Sequence, residues 1–184
     1  MNKKVKHFPK YNELNFFEKI FLNTCCYFPP KPRRVTGKEI DLNLESYSLR
    51  FKTAFGNDIL NTFKNKKILD FGCGEGGFSL AVASLVPTSI VTGLDINDGL
   101  YSANKVKEKE HIDNVNFIIG SSSILKDNSY DYIFSHDSFE HFEDPKKILS
   151  EMLRIVKPNG YILIKFGPTW AGPYGRHMSG TIKK

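Results

Sequence analysis

Two acidic residues in this sequence close apolar runs, and a glycine-rich stretch follows the first of them. Asp70 lies near the end of the run KKILDF, and Gly72, Gly74 and Gly77 then fit the pattern G-x-G-x-x-G. A strand, a glycine turn and a helix in this order leave free backbone N–H groups beside the carboxyl end of the strand. Open α/β sheets bind nucleotide-like ligands at that place. The carboxylate of Asp70 would repel a phosphate there, whereas it would favour a cationic or amino-bearing ligand.

The second acid, Asp95, ends the run SIVTGLD, about 18 residues past Gly77. This spacing is close to the offset of about 20 residues at which an acid reaches the hydroxyls of a ribose. A carboxylate at this place could accept hydrogen bonds from both hydroxyls, and Ile96 would then lie against the base. The alternative is that Asp95 caps the next helix, although Asn97 or Asp98 could be that cap instead.

Two histidines lie at and beyond the end of a further apolar run, Tyr130 to Ser135. His136 and His141 are candidates for catalysis, because an imidazole titrates near neutral pH and could take a proton from a hydroxyl or amine nucleophile. Structural roles are the alternative. His141 would then bond the backbone at a helix start, and His136 would form a wall of the pocket.

The elements that must position these residues alternate between strands and helices. Five strands are predicted at Lys66–Phe71, Ser89–Asp95, Val115–Ile119, Tyr130–Ser135 and Tyr161–Phe166. Helical spacing of apolar residues follows the first, second and fourth of these strands. The last of the three helices starts at Asp144-Pro145 and ends at the turn Pro158-Asn159-Gly160. Its buried face is predicted to contain Ile148, Leu149, Met152, Leu153, Ile155 and Val156. Upstream, helices are predicted over Tyr11–Cys26 and within Val35–Phe63, where Gly56-Asn57 breaks the pattern.

Composition narrows the possible function classes. The chain has 184 residues, of which 40% are hydrophobic, and a formal net charge of +6. Its Lys and Arg residues gather towards the ends instead of forming a basic stripe, so no nucleic-acid groove is predicted. Cys25, Cys26 and Cys73 form neither a metal spacing nor a disulfide framework, which predicts no metal site and suits a reducing cytoplasm. Charged residues interrupt the apolar stretch Phe16–Phe28, so no membrane span is predicted.

Four segments together resemble the class I S-adenosylmethionine-dependent methyltransferases, in their small-molecule, type 11-like branch. They are Asp70-Phe71-Gly72-Cys73-Gly74, the strand ending at Asp95, the segment Tyr130–Asp137, and the segment Ser138–Pro145. The resemblance implies a Rossmann-like, doubly wound, mainly parallel α/β sheet in the order 3-2-1-4-5, with helices on both faces. It implies S-adenosylmethionine as cofactor and a small hydroxyl- or amine-bearing molecule as methyl acceptor.

The same resemblance assigns residues to the cofactor. The predicted cofactor-binding residues are Asp70, Gly72, Cys73, Gly74, Asp95, Ile96, Ser121 and Ser122. The position after Gly120 is usually an aspartate in the family, where it bonds the adenine amino group. Here it is Ser121, whose hydroxyl can accept the same bond but without charge assistance.

The resemblance also implies a domain plan. Residues 1–34 would form a helical extension, either a lid over the cofactor or a helix on the sheet edge. Residues 35–184 would form a methyltransferase domain that lacks the last two strands of the fold. The fifth strand would then be an edge, covered by residues 167–184 or by a second chain in a homodimer.

Three other functions are compatible with parts of the pattern. A nicotinamide-dependent oxidoreductase fits G-x-G-x-x-G and Asp95, but Asp70 opposes it. A non-catalytic relative that binds cofactor or a partner fits Ser121 and the short sheet. A nucleic-acid methyltransferase that methylates amino groups would carry Asp/Asn-Pro-Pro-aromatic after the fourth strand, where this chain has Ser135-His136-Asp137-Ser138.

Overall fold

A computed structural model describes residues 15–17 and 40–167 of the chain. The described residues 40–167 belong to one compact unit. The predicted extension or lid at residues 1–34 lies outside the described residues, apart from Asn15–Phe17. The segment from 168 to 184, predicted to cover the sheet edge, lies outside them as well.

A parallel sheet of five strands forms the centre of the described unit. Its strands are β1 (Lys67–Phe71), β2 (Ile90–Asp95), β3 (Val115–Ile119), β4 (Tyr130–His136) and β5 (Val156–Lys165). They lie in the order β3-β2-β1-β4-β5, and each neighbouring pair is parallel. The predicted Rossmann-like sheet and its strand order are confirmed.

Helices follow the strands as the apolar spacing indicates. They are α1 (Leu44–Phe55), α2 (Ile59–Thr62), α3 (Gly77–Leu85), α4 (Tyr101–Lys109) and α5 (Pro145–Ile155), with 3-10 turns at Ser122–Ile124 and Phe139–His141. Gly56 ends α1 with a φ of +104°, which explains the break within the predicted segment Val35–Phe63. The side chain of Asp144 caps α5 by accepting a bond of 3.0 Å from the Lys147 N–H.

Helices cover both faces of the sheet. Phe51 of α1, Leu80 of α3 and Ala103 of α4 pack on one face, in a cluster that includes Ile68 of β1. On the other face, Met152 and Ile155 of α5 pack in a cluster with Leu69, Phe71 and Ile133. Successive residues of β1 thus point to opposite layers, as the pleat requires.

Two predictions about the last helix and strand were wrong. Pro158-Asn159-Gly160 does not separate them, because β5 already begins at Val156 and contains a bulge, with Asn159 at φ +62°. Leu149 and Leu153 are exposed instead of buried. The buried stripe of α5 is therefore narrower than its apolar composition suggests. In the described part of the chain, no helix has the length and apolar character to cross a membrane.

Candidate functional site

The glycine turn after β1 is built from residues in the left-handed backbone region. Gly72, Gly74 and Gly76 have φ values of +76°, +55° and +83°, which glycine adopts without steric cost. The N–H groups of Gly72 and Cys73 donate to the Leu94 carbonyl at 2.8 and 3.0 Å. The turn therefore crosses the end of β2 and brings the two strand ends together.

The same turn lies against the end of β4. A Cβ atom on Gly72 would be 2.8 Å from Cβ of Ser138, so a side chain at this position does not fit. The Ser138 hydroxyl donates to the Gly72 carbonyl at 2.6 Å. The end of β4 and the glycine turn therefore form one continuous wall.

Asp95 joins the glycine turn to the loop after β2. Its Oδ2 accepts the Gly74 N–H at 2.7 Å, and its Oδ1 accepts the backbone and side-chain N–H groups of Asn97 at 2.9 and 3.0 Å. A carboxylate offers about four acceptor positions. One position on Oδ2 therefore remains for a ligand hydroxyl, and a second would become available if the Asn97 amide turned away.

A cavity of about 780 Å³ opens beside these groups at the carboxyl edge of the sheet. This volume lies within the range of about 300 to 1,000 Å³ that is usual for small-molecule sites. The residues lining the cavity are Phe71, Gly72, Leu94, Asp95, Ile96, Gly120, Ser121, Ser122, Ser123, His141, Phe142, Glu143, Asp144, Lys147, Ile148 and Glu151.

Six of the ten predicted site residues line this one cavity. They are Gly72, Asp95, Ile96, Ser121, Ser122 and His141. The other four, Asp70, Cys73, Gly74 and His136, do not line it in the described part of the chain. Gly74 nevertheless contributes through its N–H group, which holds Asp95.

Asp70 lies beneath the glycine turn and is only 2% exposed. Its Oδ2 accepts a bond of 2.7 Å from the Ser79 hydroxyl in α3. Burial, with a smaller contribution from Asp95, raises the pKa of Asp70 to about 7 although the Ser79 bond opposes this shift. Burial likewise raises the pKa of the partly buried Cys73 thiol far above its usual range. Neither residue lines the cavity in the described part of the chain, and their binding of a cofactor stays a prediction.

His136 ends β4 on the sheet face that α1 and α3 cover. Its ring lies 4.2 Å, centroid to centroid, from the ring of Phe78 and is 9% exposed. Nδ1 is 3.2 Å from Oδ2 of Asp137 without hydrogen-bond alignment. Burial lowers the pKa of His136, although Asp137 opposes this shift. This buried environment fits a role in packing, but His136 is not the pocket wall that the structural alternative predicts, since it does not line the cavity in the described part of the chain.

Asp137 turns the chain away from β4 with a left-handed φ of +55°. Lys165 of β5 pairs with its Oδ1, and the guanidinium of Arg50 in α1 is 3.8 Å from its Oδ2. Three elements therefore meet at this corner, directly before Ser138.

Glu151 and Arg154 of α5 are functional candidates that sequence reasoning missed. Glu151 lines the cavity and accepts the Ser122 hydroxyl at 3.0 Å, and Arg154 binds Glu151 and the loop after β3. In the sequence, the only sign of this pair is that an acid and a base lie three residues apart on a predicted helix, where they can form an ion pair. In the described part of the chain, no group of His, Cys, Asp or Glu side chains has the arrangement of a metal site.

Residues 62–167 match a family model described as a methyltransferase domain, which is more than half of the chain. This chain belongs to that family. Its predicted resemblance to the class I methyltransferases is confirmed, and family and fold together imply S-adenosylmethionine as the cofactor.

Relatives at the sequence level are methyltransferases. The chain is 32% identical over 111 residues to an uncharacterized methyltransferase of Schizosaccharomyces pombe, covering 55% of this chain and 40% of the relative. It is 33% identical over 108 residues to a demethylmenaquinone methyltransferase of Geobacillus, covering 56% of this chain and 46% of the relative. The chain thus spans less than half the length of these two relatives.

Solved structures share the fold. The PH0226 protein of Pyrococcus horikoshii is 30% identical with a TM-score of 0.57, over 72% of this chain and 64% of its own. A SAM-dependent methyltransferase from Aquifex aeolicus has a TM-score of 0.57 at 23% identity, over 76% of this chain and 79% of its own. The latter likeness concerns the fold alone.

Proposed function

We propose that this chain is a methyltransferase that uses S-adenosylmethionine to methylate a small hydroxyl- or amine-bearing acceptor. One observation carries the proposal. The cavity at the carboxyl edge joins the glycine turn to Asp95, whose Oδ2 is fixed at 2.7 Å from the Gly74 N–H and keeps an acceptor position. This donor and acceptor set suits a nucleoside whose ribose hydroxyls need acceptors.

The lining residues fit such a cofactor. Asp95 would accept a ribose hydroxyl, exposed Ile96 would lie against the base, and Ser121 and Ser122 would face the base from the loop after β3. Gly72 lines the cavity at the glycine turn, and its backbone would lie beside the methionine part.

The bound cofactor would supply an electrophilic methyl group on a sulfonium centre. The contribution of the chain is to align the acceptor with that group and to keep water away from it. His141 is the candidate proton acceptor that lines the cavity, and one of its imidazole nitrogens would take the proton that the acceptor loses. His136 is the second candidate proton acceptor, because it does not line the cavity in the described part of the chain.

The segment at the end of β4 supports a small molecule over a nucleic acid as the acceptor. Ser135-His136-Asp137-Ser138 stands where amino-methylating enzymes of nucleic acids carry their Pro-Pro-aromatic segment. Relatives named demethylmenaquinone methyltransferase make demethylmenaquinone one acceptor worth testing.

Calorimetric titration tests the cofactor part of the proposal. S-adenosylhomocysteine should bind with one site per chain, whereas NAD should not bind. Binding of NAD alone would favour the oxidoreductase alternative. Methyl transfer from labelled S-adenosylmethionine to a panel of phenols, amines and quinols then tests catalysis. A folded chain that binds S-adenosylhomocysteine but methylates none of the panel would favour the non-catalytic alternative.

A further inference from the structure

Arg154 uses its whole guanidinium to fix the loop after β3. Its Nε donates to Glu151 Oε1 at 3.1 Å, and its Nη2 donates to Glu151 Oε2 at 2.8 Å and to the Ser122 carbonyl at 3.1 Å. Its Nη1 donates to the Leu125 carbonyl at 2.9 Å and to Asp127 Oδ1. An arginine has five N–H donors, so every donor of Arg154 has a partner.

This network holds a carboxylate at the wall of the cavity. Glu151 lines the cavity, and its side chain is 26% exposed. Its Oε2 also accepts the Ser122 hydroxyl at 3.0 Å. Three donors occupy three of the roughly four acceptor positions of a carboxylate, and the remaining position is on Oε1. The hydrogen bonds from Arg154 lower the pKa of Glu151, and the group therefore stays ionised at neutral pH.

The loop that carries Ser122 lies directly beside Asp95. Asp95 pairs in register with Ile119 of β3, and the Gly120 N–H donates to the Asp95 carbonyl at 2.8 Å. If Asp95 accepts a ribose hydroxyl, the base attached to that ribose lies in the part of the cavity bounded by this loop. An adenine base carries an exocyclic amino group, which is a hydrogen-bond donor that needs an acceptor.

We propose that Glu151, oriented by Arg154 and Ser122, is the acceptor that recognises the exocyclic amino group of the cofactor's adenine. Glu151 is then a specificity-determining residue, and Arg154 is a positioning residue that acts through it. The inference rests on the proposed use of S-adenosylmethionine. It differs from the sequence-based expectation, which gave the bond from the adenine amino group to the Ser121 hydroxyl.

The discriminating experiment compares two ligands by calorimetry. One ligand is S-adenosylhomocysteine, and the other is its analogue whose purine lacks the 6-amino group. A bond to a charged acceptor changes affinity by roughly tenfold or more, so the parent should bind the first ligand at least about tenfold more tightly. In Glu151→Gln this preference should fall to less than about threefold, because a neutral amide replaces the charged acceptor.

Two further variants separate recognition from structure. Glu143→Gln removes the same charge from another residue that lines the cavity, and it should leave the preference between the two ligands unchanged. Arg154→Gln should reduce the preference, because Glu151 and the loop lose their common anchor. Thermal unfolding of each variant verifies that the titrated protein is folded.

Several results would overturn the inference. A parent that binds both ligands equally shows that no group recognises the amino group, and this result needs no variant. An unchanged preference in folded Glu151→Gln assigns the recognition elsewhere, and so does a loss of preference in Glu143→Gln. A parent that binds neither ligand refutes the proposed function itself, and the inference fails with it.

Discussion

Replacement of Asp95 by alanine should weaken the binding of S-adenosylhomocysteine without unfolding the chain. The carboxylate is 9% exposed and already accepts three N–H groups, from Gly74 and Asn97. It therefore keeps about one acceptor position for the ligand. The Asp95→Ala variant removes that position and also releases the Gly74 N–H.

The magnitude follows from this count. One hydrogen bond from a hydroxyl to a charged acceptor contributes about 1.5 to 3 kcal/mol. The Kd for S-adenosylhomocysteine should therefore rise roughly 10- to 150-fold. The released Gly74 N–H should lower the free energy of unfolding by about 1 to 3 kcal/mol, because this donor is partly buried in the turn.

Isothermal titration of parent and folded variant measures the first effect, and urea denaturation measures the second. Asp98→Ala is the matched control, because Asp98 is an exposed acid on the same loop. Its change in Kd should stay within about threefold. Equal affinities of Asp95→Ala and parent, with a loss of stability alone, would mean that Asp95 only fixes the loop.

Three further outcomes are expected. Gly72→Ala should lower the free energy of unfolding more than Gly74→Ala, because both have positive φ but only at Gly72 would the new Cβ overlap Ser138; equal losses in urea denaturation would contradict this. The raised pKa of Asp70, about 7, makes the folded state bind more protons than the unfolded state between about pH 4 and pH 7. Its stabilising contribution is therefore complete below about pH 4 and is lost as the pH rises through about 7. Asp70→Asn should flatten that decline in chemical denaturation, and a decline as steep as in the parent would refute the assignment. Self-association through the edge of β5 should raise the mass measured by light scattering as concentration increases, whereas a constant monomer mass would exclude the homodimer.

Local patterns in the sequence were sufficient to predict the sheet. The apolar runs ending at Phe71 and Asp95, and the glycines between them, define a strand–turn–helix–strand unit whose parts are close in sequence. The same unit explains why Gly72 and Asp95 were found as cavity residues. Capping of α5 by Asp144 was equally local, since the bond spans three residues.

Contacts between distant segments could not be predicted in this way. Glu151 meets Ser122 across 29 residues of sequence, and no periodicity marks that meeting. Asp70 lies near the end of the expected strand. Its side chain points beneath α3 and accepts a hydrogen bond from Ser79. The sequence does not predict this contact, because the contact depends on how α3 packs on the sheet. The early start of β5 at Val156 depends on its pairing with Tyr130 of β4, which is a distant segment of the chain.

A crystal structure of the chain with S-adenosylhomocysteine tests the central claim most directly. The ligand should occupy the cavity at the carboxyl edge of the sheet, with a ribose hydroxyl within hydrogen-bond distance of Asp95 Oδ2 and the homocysteine part beside Gly72. Density for the ligand elsewhere on the chain, or a ribose that does not contact Asp95, would contradict this account of the site.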